Sequence, residues 1–115
     1  MECRNTLKLH TITLRTLSTP VFPHPRGVVP GAKVEVAILD LANQASVKDF
    51  AKRALDIGAP LDVLVNNAGV MATPAMTTDD GFEYQLGVNH LGHFTLTNML
   101  LPLITGPNRS GAVCS

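Results

Sequence analysis

An α/β fold built on a parallel sheet is the class this sequence predicts. Three features of residues 31–115 predict it: short, almost continuously apolar runs rich in branched residues, an amphipathic helical stripe between the first two of them, and strict alternation of the two kinds of segment. At 115 residues the chain is one small domain at most. With 45% hydrophobic and 16% charged residues it is globular rather than disordered.

The first run, Val34-Glu35-Val36-Ala37-Ile38-Leu39, closes on Asp40. Its apolar character suits a strand buried on both faces of a parallel sheet. Ser46 then opens a helix over 46–57: Ser46-Val47-Lys48-Asp49 has the spacing of a capping box, in which Asp49 reaches back to the free amide of the cap. Val47, Phe50, Ala51, Ala54 and Leu55 form one apolar stripe, with Lys48, Lys52 and Arg53 off it. Gly58 and Pro60 stop the helix. Leu61-Asp62-Val63-Leu64-Val65 is a second strand, ended by Asn66-Asn67-Ala68-Gly69. Thr77, Thr78, Asp79 and Asp80 place hydroxyls and negative charge at the start of a second helix, where free amides and the helix dipole favour them. That helix is expected to reach about Leu101, with a break near Gly87 and Pro102 at its end. Ala112-Val113-Cys114 opens a third strand. There are no internal repeats.

Residues 1–30 read differently. The cations Arg4, Lys8, Arg15 and Arg26 face the single acid Glu2, and the segment is rich in Thr and then in Pro. Basic, hydroxyl-rich and acid-poor is the composition of an organellar transit segment. A leader from an unrelated exon has an equal claim, and a real strand around Leu7, Leu9, Ile12 and Leu14 is the third alternative. The domain reading is therefore an unassigned leader over 1–30 and an α/β domain over 31–115. The expected location is a chloroplast or other organelle if 1–30 is a transit segment, and the cytoplasm otherwise.

Composition excludes several functions. Nine Lys+Arg balance nine Asp+Glu, which argues against a polybasic nucleic-acid binder, and the absence of Trp with a single Tyr argues against a stacking platform for single strands. Cys3 and Cys114 lie at opposite ends with no metal-type spacing and form no disulfide framework. No run approaches the roughly 20 apolar residues of a membrane span. His90 and His93 share a helix face but lack a third ligand at suitable spacing, so no metal site is expected.

A ligand of an open parallel sheet lies beyond the carboxyl ends of its strands. Those ends carry Asp40, then Asn66-Asn67-Ala68-Gly69, then Ser115. Asp40 is an acceptor for an exocyclic amine, and small residues at 68 and 69 allow a flat ligand to approach the backbone. Taken singly, Asp40 reads as a turn residue and Asn66-Asn67 as an Asx turn.

Taken together with residues 79–94, these positions resemble a known family. Residues 61–71, with Asn66-Asn67-Ala68-Gly69 at their centre, resemble the NNAG segment of short-chain dehydrogenases/reductases. Asp79-Asp80-Gly81-Phe82-Glu83 and Gly87-Val88-Asn89-His90-Leu91-Gly92-His93-Phe94 resemble its retinol-dehydrogenase-like branch, and protochlorophyllide reductases look similar there. The resemblance covers about residues 32–115 and implies part of a Rossmann-type, doubly wound parallel sheet. It implies that Asp40, with Leu41 beside it, contacts the adenine of a dinucleotide. It implies that Asn66, Asn67, Ala68 and Gly69 form the turn along its adenosine side. It implies that Asn89 is the asparagine of an Asn-Ser-Tyr-Lys tetrad, holding a relay water, and that Ser115 is the serine that bonds the substrate oxygen. The implied cofactor is NADP or NAD, and the implied substrate a small carbonyl or alcohol compound.

Two departures shape the expectation. Gly27-x3-Gly31 lacks the third glycine of the family's phosphate-binding turn, and no Tyr-x3-Lys occurs: Tyr84 has Val88 four residues on, and Lys52 is the last lysine. The tyrosine is the family's general acid and the lysine lowers its pKa. The expectation is therefore an incomplete, retinol-dehydrogenase-like oxidoreductase that is not catalytic as this chain. The alternative is a non-catalytic interaction or decoy fragment that docks on a full-length family member or forms a homo-oligomer. In the doubly wound order 3-2-1-4-5-6 the strands at 34–39 and 61–65 resemble the third and fourth, which are not neighbours, so the first needs a partner from elsewhere.

Overall fold

The computed structural model describes residues 13–14, 37–106 and 109–115. Cys3, His10, His24, the Gly27–Gly31 pair and the first half of the run at 34–39 lie outside the described residues. The elements, in chain order, are β1 (Thr13–Leu14), β2 (Ile38–Leu39), α1 (Gln44–Ile57), β3 (Val63–Val65), α2 (Tyr84–Leu86), a π-helical segment (Gly87–Gly92), α3 (His93–Ile104), β4 (Thr105–Gly106), β5 (Arg109–Ser110) and β6 (Ala112–Cys114). The chain is an α/β fragment of Rossmann type, with strand, helix and strand alternating as the sequence predicts.

Strands β3 and β6 pair in parallel, with Val63 opposite Ala112, Leu64 opposite Val113 and Val65 opposite Cys114. The helices between them form the crossover that a parallel pair requires. Strand β2 does not pair with β3. Its partner is β1, in parallel, with Thr13 opposite Ile38 and Leu14 opposite Leu39. The partner that strand order demanded therefore comes from within the first 30 residues. A short antiparallel pair, Thr105 with Ser110 and Gly106 with Arg109, links α3 to β6.

The apolar stripe of α1 packs as its spacing predicts: Val47 and Ala51 are fully buried, Phe50, Ala54 and Leu55 are half-buried, and Lys48, Lys52 and Arg53 are exposed. Its partner is α3, whose buried residues Leu96, Leu100 and Ile104 repeat every four residues. Together with Leu39, Leu41, Leu64 and Val88 these side chains form one core on one side of the strands. The other side differs from a sheet buried on both faces: Val63 and Val65, flanking the buried Leu64, are 55% and 57% exposed.

Three boundaries differ from the sequence reading, each for a local reason. Helix α1 begins two residues before Ser46, because Asn43 is its N-cap and accepts from the Ser46 amide at 2.9 Å. The Ser46 hydroxyl instead accepts from the Asp40 amide at 3.0 Å. The second helix begins at Tyr84 rather than near Thr77, because residues 78–81 fold into a turn closed by Gly81 N–H to Thr78 O and by Thr78 N–H to Phe82 O. Gly81 takes the left-handed φ of 82° that this turn needs. Helix α3 also runs past Pro102 to Ile104, so the proline sits within its last turn rather than ending it. Gly58 closes α1 as expected, with φ 64° and its N–H on Ala54 O.

Truncating Leu96 to Ala should destabilise the chain by about 2–5 kcal/mol, the range for buried leucine deletions. Lys52→Ala should change stability by less than about 0.5 kcal/mol. Urea unfolding of the two variants beside the parent chain checks both values.

Candidate functional site

The carboxyl edge of the strands gathers the predicted residues. Asp40 ends β2 and folds back on itself: its Oδ1 accepts from the Ala42 amide at 2.9 Å, and Asn43 N–H reaches Asp40 O. Its Oδ2 takes no hydrogen bond among the described residues. Leu41 is buried in the core. This turn leads into α1, whose first amides are capped across the fold. Asp80 Oδ2 accepts from the Gln44 amide at 2.8 Å, and Asp79 Oδ2 accepts from Asn43 Nδ2 at 2.8 Å. Asp79 and Asp80 thus serve the N-terminus of the earlier helix. The cap of the later one is Glu83, whose carboxylate accepts from Gln85 and Leu86 amides at 3.0 and 2.8 Å. Sequence spacing pointed these acids at the wrong helix because a cap 36 residues away leaves no local signal.

Beyond β3, the Asn66 N–H donates to Cys114 O at 2.7 Å and so extends the strand ladder by one bond. Asn66 Nδ2 donates to Thr97 Oγ1 at 3.0 Å and to Ser115 Oγ at 3.3 Å. One side chain therefore joins the ends of β3 and β6 to helix α3, and Asn66 and Ser115 meet directly. Asn66 Oδ1 is buried without a donor among the described residues. Asn67 is exposed, Ala68 is half-buried against the core, and Gly69 faces Asn89.

Asn89 is fastened to the same loop from the helix side. Its Oδ1 accepts from the Val70 amide at 2.8 Å and its Nδ2 donates to Val70 O at 2.9 Å. A side-chain amide that exchanges both bonds with one backbone residue acts as a short stretch of β-ladder. A Cβ on Gly69 would lie 3.3 Å from Asn89 Oδ1, so the loop passes at contact distance. Asn89 sits in the π-helical segment, which explains the expected break near Gly87 as a wider turn rather than an interruption. The segment is bracketed by two close approaches. A Cβ on Gly87 would collide with Thr78 Cγ2, and one on Gly92 would fall 2.7 Å from Leu41 O. The Asp40–Leu41 turn, the 66–70 loop and Asn89 are thereby one connected unit. Sequence reasoning missed Val70, Thr97 and His93 in it; His93 Nδ1 lies 3.1 Å from Asn89 O. Among the described residues no three His, Cys, Asp or Glu side chains group as metal ligands, and no helix is long and apolar enough to cross a membrane.

The family model for short chain dehydrogenase matches residues 25–114. Retinol dehydrogenase 13 of Homo sapiens is 51% identical over 76 residues, which are 66% of this chain and 23% of that protein. Polyprenol dehydrogenase of Danio rerio is 52% identical over 79 residues, 69% of this chain and 24% of that protein. Among solved structures, the Pseudomonas aeruginosa RhlG/NADP complex matches with a TM-score of 0.55 at 27% identity, covering 72% of this chain and 34% of that one. The chain spans about a quarter of the length of the curated relatives it matches.

The cap on α2 carries a pH signature. The Leu86 and then the Gln85 amide hold the Glu83 carboxyl below the ordinary glutamate range, slightly opposed by desolvation. A depressed carboxylate contributes stability that is present above the unfolded-state pKa and is lost as pH falls through the folded one. Acidification from neutral pH should therefore loosen the start of α2, and Glu83→Gln should weaken that dependence; amide exchange at Gln85 and Leu86 between pH 6 and 3 checks it.

Proposed function

Because the chain belongs to the short-chain dehydrogenase family, we propose that it carries the adenosine-side half of a nicotinamide dinucleotide site from a retinol-dehydrogenase-like oxidoreductase acting on an alcohol or carbonyl. The observation that carries this reading is the two-way bond between Asn89 and Val70, which fixes the 66–70 loop beside the Asp40–Leu41 turn. The residues fit the nucleoside end of such a group. Asp40 offers an unused carboxylate oxygen to an exocyclic amine. Asn66 Nδ2 ties the loop to Thr97 and Ser115 and so holds its start in place. Ala68 and Gly69 leave the backbone open to close approach.

The dinucleotide, when bound, supplies or accepts the hydride. This chain's own part is to orient: Asp40 and the loop hold the adenosine end, Asn89 fixes the loop, and Ser115, held by Asn66, presents a hydroxyl to a substrate oxygen. Residues 1–115 contain neither a three-glycine phosphate turn nor Tyr-x3-Lys, so on this reading these residues by themselves supply neither the phosphate cradle nor the general acid. General acid catalysis is worth about 10²–10⁴ in rate. We accordingly propose that residues 1–115, taken alone, bind without turning over.

A second reading is favoured by the helix surface. Leu86, Phe94 and Leu101 are 50%, 60% and 40% exposed along one side of the helix from 84 to 104. Such a stripe suits docking on a full-length family member.

Titration of the ¹⁵N-labelled chain with NADPH and NADH tests the first reading. Shifts are expected at the amides of Asp40–Ala42 and 66–69, lost in Asp40→Ala; shifts elsewhere, or none, would overturn it. Steady-state assay with retinal and small aldehydes should give turnover below about 0.1 per second, under the usual enzyme range. Shifts confined to the stripe on adding a full-length relative would favour the second reading.

A further inference from the structure

The backbone oxygen of Asn89 has a partner of its own. His93 Nδ1 lies 3.1 Å from it, one helical turn further on. A carbonyl oxygen only accepts, so the proton resides on Nδ1, and in the neutral ring the lone pair is confined to Nε2. Asn89 is therefore held at both ends: its amide group exchanges two hydrogen bonds with Val70, and its carbonyl receives the imidazole. The π-helical segment makes that second restraint useful. A wide turn has poorer backbone geometry than an α-helix and tends to relax to it. A one-residue relaxation would rotate Asn89 by about 100° around the helix, away from Val70.

We propose that His93 is a positioning residue: by holding the Asn89 carbonyl it locks the π-helical segment in the register that aims the Asn89 side chain at Val70, and so fixes the 66–70 loop. Its relevance to a dinucleotide rests on the proposed role of that loop at the adenosine end, while the brace itself is independent of any ligand. The same helix supplies a precedent for the interaction with a different donor. Asn98 Nδ2 donates to Phe94 O, four residues back, at 2.8 Å. An asparagine at position 93 can reach the Asn89 carbonyl in the same way, whereas a leucine of similar size cannot.

The test uses the ¹⁵N-labelled full chain without cofactor, at pH 8, above the ordinary imidazole titration near 6.5. Long-range ring spectra should show His93 as the Nδ1–H tautomer. His90, whose ring makes no hydrogen bond among the described residues, should show the Nε2–H form of a solvated imidazole. Exchange of the Val70 amide should rise about tenfold in His93→Leu and stay within about twofold of the parent in His93→Asn, while Leu100 stays protected in both. An Nε2–H His93 would overturn the proposal. So would unchanged Val70 exchange in His93→Leu, or an equal rise in both variants, which would mean lost packing only. If His93→Leu loosens the whole domain, so that Leu100 exchanges with Val70, the parent tautomer and His93→Asn decide: an Nδ1–H ring with Val70 still protected supports the brace, and any other combination overturns it. A brace that holds in a chain whose 66–69 amides ignore NADPH would refute the dinucleotide reading and leave the role of His93 in the loop intact.

Discussion

Where α3 begins, the helix lies directly on the backbone that succeeds β2. A methyl group on Gly92 would sit 2.7 Å from the Leu41 carbonyl, closer than any real contact, so only a glycine permits the approach. Once it is made, the remaining geometry is a matter of rigid helix spacing. Leu96, Leu100 and Ile104 come down at successive turns onto Leu39, Leu64 and the α1 stripe. Three residues before Gly92, Asn89 arrives at Val70. The core and the candidate site thus share one contact, and a displacement there moves both.

Much of this was legible in the chain. The period of Val47, Phe50, Ala51, Ala54 and Leu55 defined a helix face, and the branched run ending at Asn66 defined a strand, because both signals are local. The NNAG segment marked the carboxyl end of β3, where residues 66–69 follow Val65. What stayed hidden depends on contacts between distant residues. Asp79 and Asp80 sit where a helix start would welcome them, and the helix they serve is simply a different one. Glu83 does what they were expected to do. Asn43 displaced Ser46 as the cap because a cap is chosen by where the chain turns, and the turn at Asp40 is set by Leu41 entering the core. Nothing in the spacing of His93 from Asn89 distinguishes a brace from an ordinary pair of surface residues.

Strand topology makes a related point. A parallel sheet in a doubly wound fold is apolar on both faces because helices cover both. Here Leu64 is covered and Val63 and Val65 are not, although all three are of the same chemical kind. Sequence composition records the burial a strand is suited to, and the described residues supply it on one side. Strand β2, likewise, takes Thr13–Leu14 as its neighbour, and a two-residue ladder satisfies the minimum of backbone groups.

The long-range cap on α1 makes one end of that helix depend on a distant part of the chain. Bringing Asp80 to Gln44 closes a loop of 36 residues, at an entropic cost of about 3 kcal/mol. The two exposed bonds of the cap, Asp80 to the Gln44 amide and Asp79 to Asn43 Nδ2, return an amount of the same order, so cap and closure roughly offset each other and the surplus that keeps the loop shut comes from the apolar contacts of α1 with α3. The first turn of α1 is in this sense a tenant of the core: whatever parts Val47 and Ala51 from α3 also uncaps the end nearest Asp40.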